Sequence, residues 1–196
     1  MASTRDRIIT ATNELFRRQG YHATSLKEIS VASGATIGSI YHFFPGGKEA
    51  LGVAVVETTG AIYRELFETL VAEFDDPATS YRQFCLGAAA VLVESEWLDP
   101  CPIGGVARET ANTSEPLRAA SAAAFDSWVE AANAHLQGVG VAPDRARSLA
   151  TMFVATIEGT FVLSRTRRST EPLEAAGEHL AALVTAALDE PAPVDR

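Results

Sequence analysis

The sequence predicts an all-α protein of about nine helices. Three observations predict it. Apolar residues recur at three- and four-residue spacing along almost all of the 196 residues. No stretch alternates apolar and polar residues long enough to read as a strand. The periodic runs are separated by residues that start and stop helices, with Ser, Thr, Asp or Pro before them and Gly or Pro after. No internal repeat interrupts this order.

The first helix spans about Thr4 to Gly20, with Ile8, Ala11, Leu15 and Phe16 as its apolar stripe and Gly20 as its stop. Tyr21, His22 and Ala23 link it to the next. Thr24 or Ser25 opens the second helix, and Ser25 with Glu28 has the spacing of a capping box. Leu26, Ile29 and Ala32 or Ser33 point inward, and Gly34 ends the helix in the left-handed conformation that only glycine adopts without steric cost. Thr36 caps a third helix, Ile37 to Phe43. Ile40 and Phe44 face in. Thr36, Ser39, Tyr41 and His42 face out, with bare backbone at Gly38 between them.

Pro45-Gly46-Gly47 breaks the chain, and a fourth helix of about 26 residues runs from Lys48 or Glu49 to Phe74. It is long enough, about 39 Å, for a strut, weakened at Gly52 and Gly60. Asp75-Asp76-Pro77 opens a fifth helix to Leu98, with Tyr81, Phe84, Ala88, Val91 and Leu92 inward. Asp99-Pro100-Cys101-Pro102 forbids regular helix, and a short helix over Gly104–Ala111 follows. A seventh helix starts at Glu115-Pro116 and ends at Gly138-Val139-Gly140. An eighth runs from Pro143 to about Arg167, and the last starts between Thr170 and Pro172. Pro191 and Pro193 belong to a tail over 191–196. The expected division is a helix-turn-helix head, 1–50, a helical body, 51–190, and that tail.

Composition narrows the function. The 47% hydrophobic content can fill one core or two closely packed ones. No apolar run approaches the roughly 20 residues of a membrane helix, and the N-terminus lacks the apolar centre of a secretory signal. Two cysteines, Cys85 and Cys101, make no disulfide framework, so a cytoplasmic protein is expected. The net charge of −9 argues against nucleic acid, but its distribution does not. Residues 1–50 hold six Lys/Arg and four Asp/Glu, an excess of +2, which leaves −11 for the remainder. A DNA-reading head on an acidic body fits that split.

The third helix points to the same chemistry. Thr, Gly, Ser and Tyr are mediocre helix formers, so a short solvated helix gains little from them. A major groove uses them well: hydroxyls reach base edges and phosphates, methyls meet thymine, and glycine allows close approach. An ordinary helical hairpin in an α-domain has the same spacing.

The run LFRRQGYHATSLKEISVASGATIGSIYHFFPGGKEAL resembles the DNA-binding domain of the TetR (tetracycline-repressor-like) family over residues 5 to about 55. The shared pattern is F-x-x-x-G-Y-x-x-T-S, then I-x-x-x-S-G-x-x-x-G-x-x-Y-x-x-F, then K-E-x-L. HFFPGGKEAL with DPCPIGGVARETA is similar to the lincomycin-repressor-like branch. The resemblance implies base or phosphate contacts at Thr36, Ile37, Gly38, Ser39, Tyr41 and His42, with Ser25, Lys27 and Lys48 on phosphates. It implies a double-stranded operator, a small-molecule effector and a homodimer.

The body supports those partners. Phe84, Trp97, Phe125, Trp128, Met152 and Phe153 are candidates to line an apolar ligand pocket, with Ala88, Val91, Cys101, Ile103 and Thr110, and Pro100–Gly105 closing one side. Arg108, Glu109, Thr110, Glu158 and Thr160 are its polar candidates. Plain core is the competing reading of the aromatics. The eighth and ninth helices are apolar on more than one face, so each needs cover all round. A two-fold interface through Leu149, Phe153, Ile157, Phe161, Leu173, Leu180, Leu183 and Val184 supplies it, and a lone recognition helix needs a second copy. An enzyme is not expected. Cys101 lies beside Gly104-Gly105, but none of the four histidines is near it in sequence. No cofactor fingerprint or paired-cysteine metal pattern occurs. The expected function is a dimeric repressor released from a palindromic operator by a small apolar or amphipathic ligand. The alternative is a helical sensor or carrier without operator binding.

Overall fold

A computed structural model describes residues 3–98 and 101–189. The Asp99-Pro100 break and the 191–196 tail lie outside the described residues. Nine helices and no strand occur among the described residues: α1 (Thr4–Gln19), α2 (Leu26–Ser33), α3 (Ile37–Phe43), α4 (Gly47–Ala72), α5 (Pro77–Glu94), α6 (Pro102–Thr110), α7 (Glu115–Gly138), α8 (Pro143–Arg167) and α9 (Glu171–Asp189). They form two compact units, one of Met1–Ala61 with Cys101–Ala124, the other of Ile62–Pro100 with Phe125–Arg196. The expected boundary at residue 50 differs from this division. The first turns of α4, all of α6 and the start of α7 go with the N-terminal unit.

The N-terminal unit is a small core of Ile8, Phe16, Ile29, Ile40, Phe44, Leu51 and Val55. Packing against α2, α3 and α6 buries one side of α1. Its start is fixed by Ser3, whose hydroxyl accepts the Asp6 N–H while the Asp6 carboxylate accepts the Ser3 N–H. Thr59 Oγ1 donates to Asn13 Oδ1 at 3.0 Å, and Ser114 Oγ donates to Glu49 Oε2 at 2.7 Å, tying α4 to α1 and to the start of α7. The glycines expected to weaken α4 are seats for neighbours. A Cβ on Gly52 would meet Leu117 Cδ2 at 3.0 Å, and one on Gly60 would meet Ala124 Cβ at 3.0 Å.

In the second unit α9 packs along α5 and against α8. The close approach of α9 to α5 needs Gly177, where a Cβ would lie 3.1 Å from Cys85 Cβ and 3.3 Å from the Arg82 carbonyl. Rings fill the centre: Phe153 stands 5.0 Å from Tyr81, 5.2 Å from Phe84 and 5.4 Å from Phe67. α5 ends four residues before the expected Leu98, because Glu96 and Trp97 turn left-handed at φ 54° and 67°. The Trp97 N–H donates to Leu92 O at 2.8 Å, and its carbonyl accepts from Arg165 Nε at 3.1 Å. These bonds hold a conformation that costs a bulky residue about 1–2 kcal/mol.

Cys85 sits at the α5–α9 contact with no exposed surface, and burial pushes its thiol up to about 12. Thiolate, not thiol, attacks alkylating reagents. Cys85 is therefore expected to resist iodoacetamide at pH 8 in the native protein and to react fully in denaturant. Mass spectrometry of the Cys85 peptide checks this. Rapid labelling of the folded chain contradicts the burial.

By length and composition α8 is also apolar enough to cross a membrane, which differs from the expectation that no stretch is, although only a third of its most apolar window is buried. Leu149, Phe153, Ile157 and Phe161 face the core. Met152, Ala155, Gly159, Val162 and Leu163 are exposed along another face.

Candidate nucleic-acid interface

The α2–α3 pair is set by short-range bonds. Ser25 Oγ accepts the Glu28 N–H at 3.2 Å, and Glu28 Oε2 accepts the Ser25 N–H at 2.8 Å. The Ser25 hydroxyl, donating to Glu28 Oε2 at 2.7 Å, and then the Ser25 N–H hold the Glu28 carboxyl below its usual range. Gly34 turns the chain at φ 64°, ψ 18°. The turn is pinned from three sides. Ser30 Oγ donates to Ala35 O at 2.6 Å, Ser33 Oγ donates to Ile29 O at 2.7 Å, and the Ala35 N–H donates to Ser33 Oγ at 3.3 Å. Thr36 then caps α3 by accepting the Ser39 N–H at 3.0 Å.

That frame dictates which side of α3 meets solvent. Ile40 is fully buried and Phe44 nearly so. Thr36, Ile37, Gly38, Tyr41 and His42 are exposed, and Ser39 is half-buried with its hydroxyl shared with Thr36 at 2.9 Å. Ile37 and Tyr41 are four residues apart, as are Gly38 and His42, so both pairs share the outward surface. The Tyr41 ring lies beside Gly47, where a Cβ would stand 3.3 Å from Cε1. Phe43, absent from the expected contacts, is 39% exposed and packs edge-on against His42 at 5.1 Å. No Asp, Glu, Lys or Arg lies on α3.

The expected phosphate contacts divide. Lys27 is exposed and free to turn outward, while the Ser25 hydroxyl is occupied by its own capping box. Lys48 is held internally. Its ammonium lies 4.4 Å over the Tyr21 ring and donates to His22 O at 3.3 Å. Desolvation lowers its affinity for a proton, against the pull of Glu109 and Glu28. Lys48 is half-buried, with the ring and carbonyl beneath its ammonium.

Glu109 is the residue sequence reasoning assigned elsewhere. It was a polar candidate for the pocket; its carboxylate instead accepts the N–H groups of Tyr21 at 3.2 Å and His22 at 2.7 Å. Of its pocket companions, Cys101, Ile103 and Thr110 are core of the N-terminal unit. Cys101 Sγ caps α6 by accepting the Gly104 N–H at 3.5 Å, and Thr110 Oγ1 donates to Val106 O.

Arg108 also belongs to the N-terminal unit, and the remaining pocket candidates are in the second, with mixed placements. Phe84 and Phe153 join Phe67, Tyr81 and His135 in the ring cluster. Phe125 and Trp128 form a second group, 5.3 Å apart, with Tyr63 6.1 Å from Trp128. Ala88 and Trp97 are half-buried. Val91 and Met152 are 47% and 36% exposed, so both leave the list of interior residues: their helices turn these positions outward. His135 was missed. Its Nδ1 is buried without a hydrogen-bond partner, and desolvation holds the ring below the usual histidine range, hence neutral at pH 7.

The expected dimer contacts also move. Leu149, Phe153, Ile157, Phe161, Leu173, Leu180 and Val184 are buried in their own chain and Leu183 is half-buried. A side chain spent on its own core offers little surface to a second copy. Among the described residues no group of three His, Cys, Asp or Glu could hold a metal ion.

A capped helix, a glycine turn and a short helix with its polar side open have the form of a DNA-binding helix-turn-helix. Residues 8–55 match the family model for bacterial regulatory proteins of the tetR family, and residues 77–179 match that for the C-terminal domain of LmrA/YxaF-like transcriptional regulators. The chain belongs to the TetR family of transcriptional regulators, with an LmrA/YxaF-like body. It is similar to the HTH-type transcriptional regulator YxaF of Bacillus subtilis (strain 168), with 38% identity over 92% of this chain and 95% of that protein. It is similar to LmrA of the same organism, with 34% identity over 87% and 90%. Among solved structures, the regulatory protein TetR from Rhodobacter sphaeroides shares the fold with a TM-score of 0.81, at 21% identity over 93% of this chain and 99% of that one.

Proposed function

We propose that this DNA-binding regulator is a cytoplasmic, non-enzymatic homodimeric repressor that leaves a palindromic operator when its body takes up a small apolar or amphipathic ligand. The observation that carries the operator part is the open face of α3. Its side chains suit base edges and methyl groups, and Ile40 and Phe44 anchor it without using any of them. Thr36→Ala and Tyr41→Ala are each expected to weaken operator binding by about 1–3 kcal/mol with the fold intact. The experiment selects bound duplexes from random DNA, then measures both variants against the selected sequence at fixed salt. Unchanged affinity in both removes α3 from the interface.

The exposed face of α8 supports the dimer. Met152, Ala155, Gly159, Val162 and Leu163 recur at helical spacing on one side. The small residues permit close approach of a second copy, and two heads make up for the scarcity of charge on each. The aromatic cluster with the unpaired His135 Nδ1 supports the ligand. A ligand there would be apolar with one polar group for that nitrogen. Release then follows only if the ligand prefers the conformation that binds DNA less well, and operator must weaken ligand binding by the same factor. Titration of candidate ligands with and without operator tests this. Equal affinity in both leaves a carrier.

A further inference from the structure

We propose that Glu109 is a positioning residue for operator recognition: its carboxylate holds the link between α1 and α2, and so fixes the start of α2 for docking on DNA. The proposal rests on the operator-reading head described above.

The geometry is confined to the N-terminal unit and uses both ends of one side chain and its own backbone. Oε1 accepts from Tyr21 N–H at 3.2 Å and Oε2 accepts from His22 N–H at 2.7 Å. The His22 ring closes the arrangement, with Nε2 3.2 Å from Glu109 O. These two amides belong to the link between α1 and α2, outside any helix, and a side chain of α6 satisfies them. The carboxylate reaches them because the preceding residue is Gly20: any Cβ there would overlap Glu109 Oε1. Lys48 lies on the other side of the same link, over the Tyr21 ring and bonded to His22 O. The link is thus clamped by an anion on its N–H groups and a cation on its ring and carbonyl. Two residues beyond it, Thr24 is buried and Ser25 caps α2.

A free link would have to be ordered at each docking event, which costs affinity for the correct sequence. The Glu109 charge has the opposite effect on bare phosphate attraction, because it repels phosphates and restrains Lys48. The residue therefore acts in different directions on the two kinds of binding. A role confined to stability would weaken both together.

The test measures Kd of the full-length protein for a wild-type-selected duplex and for a random duplex of the same length, at one salt concentration. Glu109→Gln is expected to weaken operator binding about tenfold, the scale of one lost charged hydrogen bond. Its Kd for random duplex is expected to stay equal or fall. Glu109→Asp keeps the charge but is too short for both amides, and is expected to restore part of the specificity ratio. Amide exchange in the wild-type protein is read alongside. Tyr21 and His22 N–H groups should be protected, and only these and their neighbours should lose protection in the Gln variant. Operator Kd within twofold of wild type, or both Kd values rising in proportion, overturns the proposal, as does rapid exchange of both amides in the wild type. If Thr36→Ala and Tyr41→Ala are both neutral, or no duplex is selected, the head reading itself fails and takes the proposal with it.

Discussion

Gly20→Ala is expected to destabilise the N-terminal unit by about 2–4 kcal/mol, one of the larger single-site effects in the chain. Two independent causes add. The backbone there has φ 83° and ψ 176°, a region that is costly for any residue with a Cβ. The new methyl would also overlap Glu109 Oε1 and drive the carboxylate off the Tyr21 and His22 amides. Urea denaturation followed by helical circular dichroism measures the sum. The double variant Gly20→Ala with Glu109→Ala separates the causes, since it removes the overlap but keeps the backbone strain. A cost below about 0.5 kcal/mol for the single variant contradicts the geometry of the link, because this is the range of an ordinary surface substitution.

Leu163→Glu has the largest expected effect on function. Leu163 is 53% exposed, so a charge there costs the isolated chain little. In a two-fold interface through α8 the same charge meets its own copy without a partner, and burial of two unpaired carboxylates opposes association. The protein is expected to sediment as a monomer, and operator affinity is expected to fall by about 100-fold or more as the second head is lost. Affinity of a single head for one half-site should be preserved. Leu180→Ala is the contrast: it empties a buried position, so it is expected to lower stability by about 2–5 kcal/mol while leaving association to the exposed face. A Leu163→Glu protein that stays dimeric removes α8 from the interface.

What was legible in the sequence depended on range. The caps of α2 and α3, the glycine turn at Gly34 and the inward Ile40 and Phe44 are all decided within four residues, and all stand as expected. The start of α1 at Thr4 also stands as expected, with Ser3 as its cap. The end of α5 was missed because Glu96 and Trp97 adopt a conformation neither prefers, held by Arg165, 68 residues from the Trp97 carbonyl it bonds. Glu109 was misassigned for the same reason: its partners are 87 and 88 residues away, and nothing local announces them. On α8 the pattern was apolar on two sides. Periodicity shows that both need cover but not which is covered from within, and the row Leu149, Phe153, Ile157, Phe161 proved to be the inner one.

The placement of Trp97 and Trp128 gives this protein a built-in optical division. The chain has two tryptophans, and both belong to the Ile62–Pro100 and Phe125–Arg196 unit. Trp128 stands among Tyr63 and Phe125, and Trp97 is pinned at its carbonyl by Arg165. The unit that carries α3 has Tyr21 and Tyr41 as its fluorophores. Tryptophan-selective excitation therefore reports on this second unit without labelling. A fluorophore attached near Tyr41 would record the other half of the same molecule, and the time order of the two signals would show which event leads.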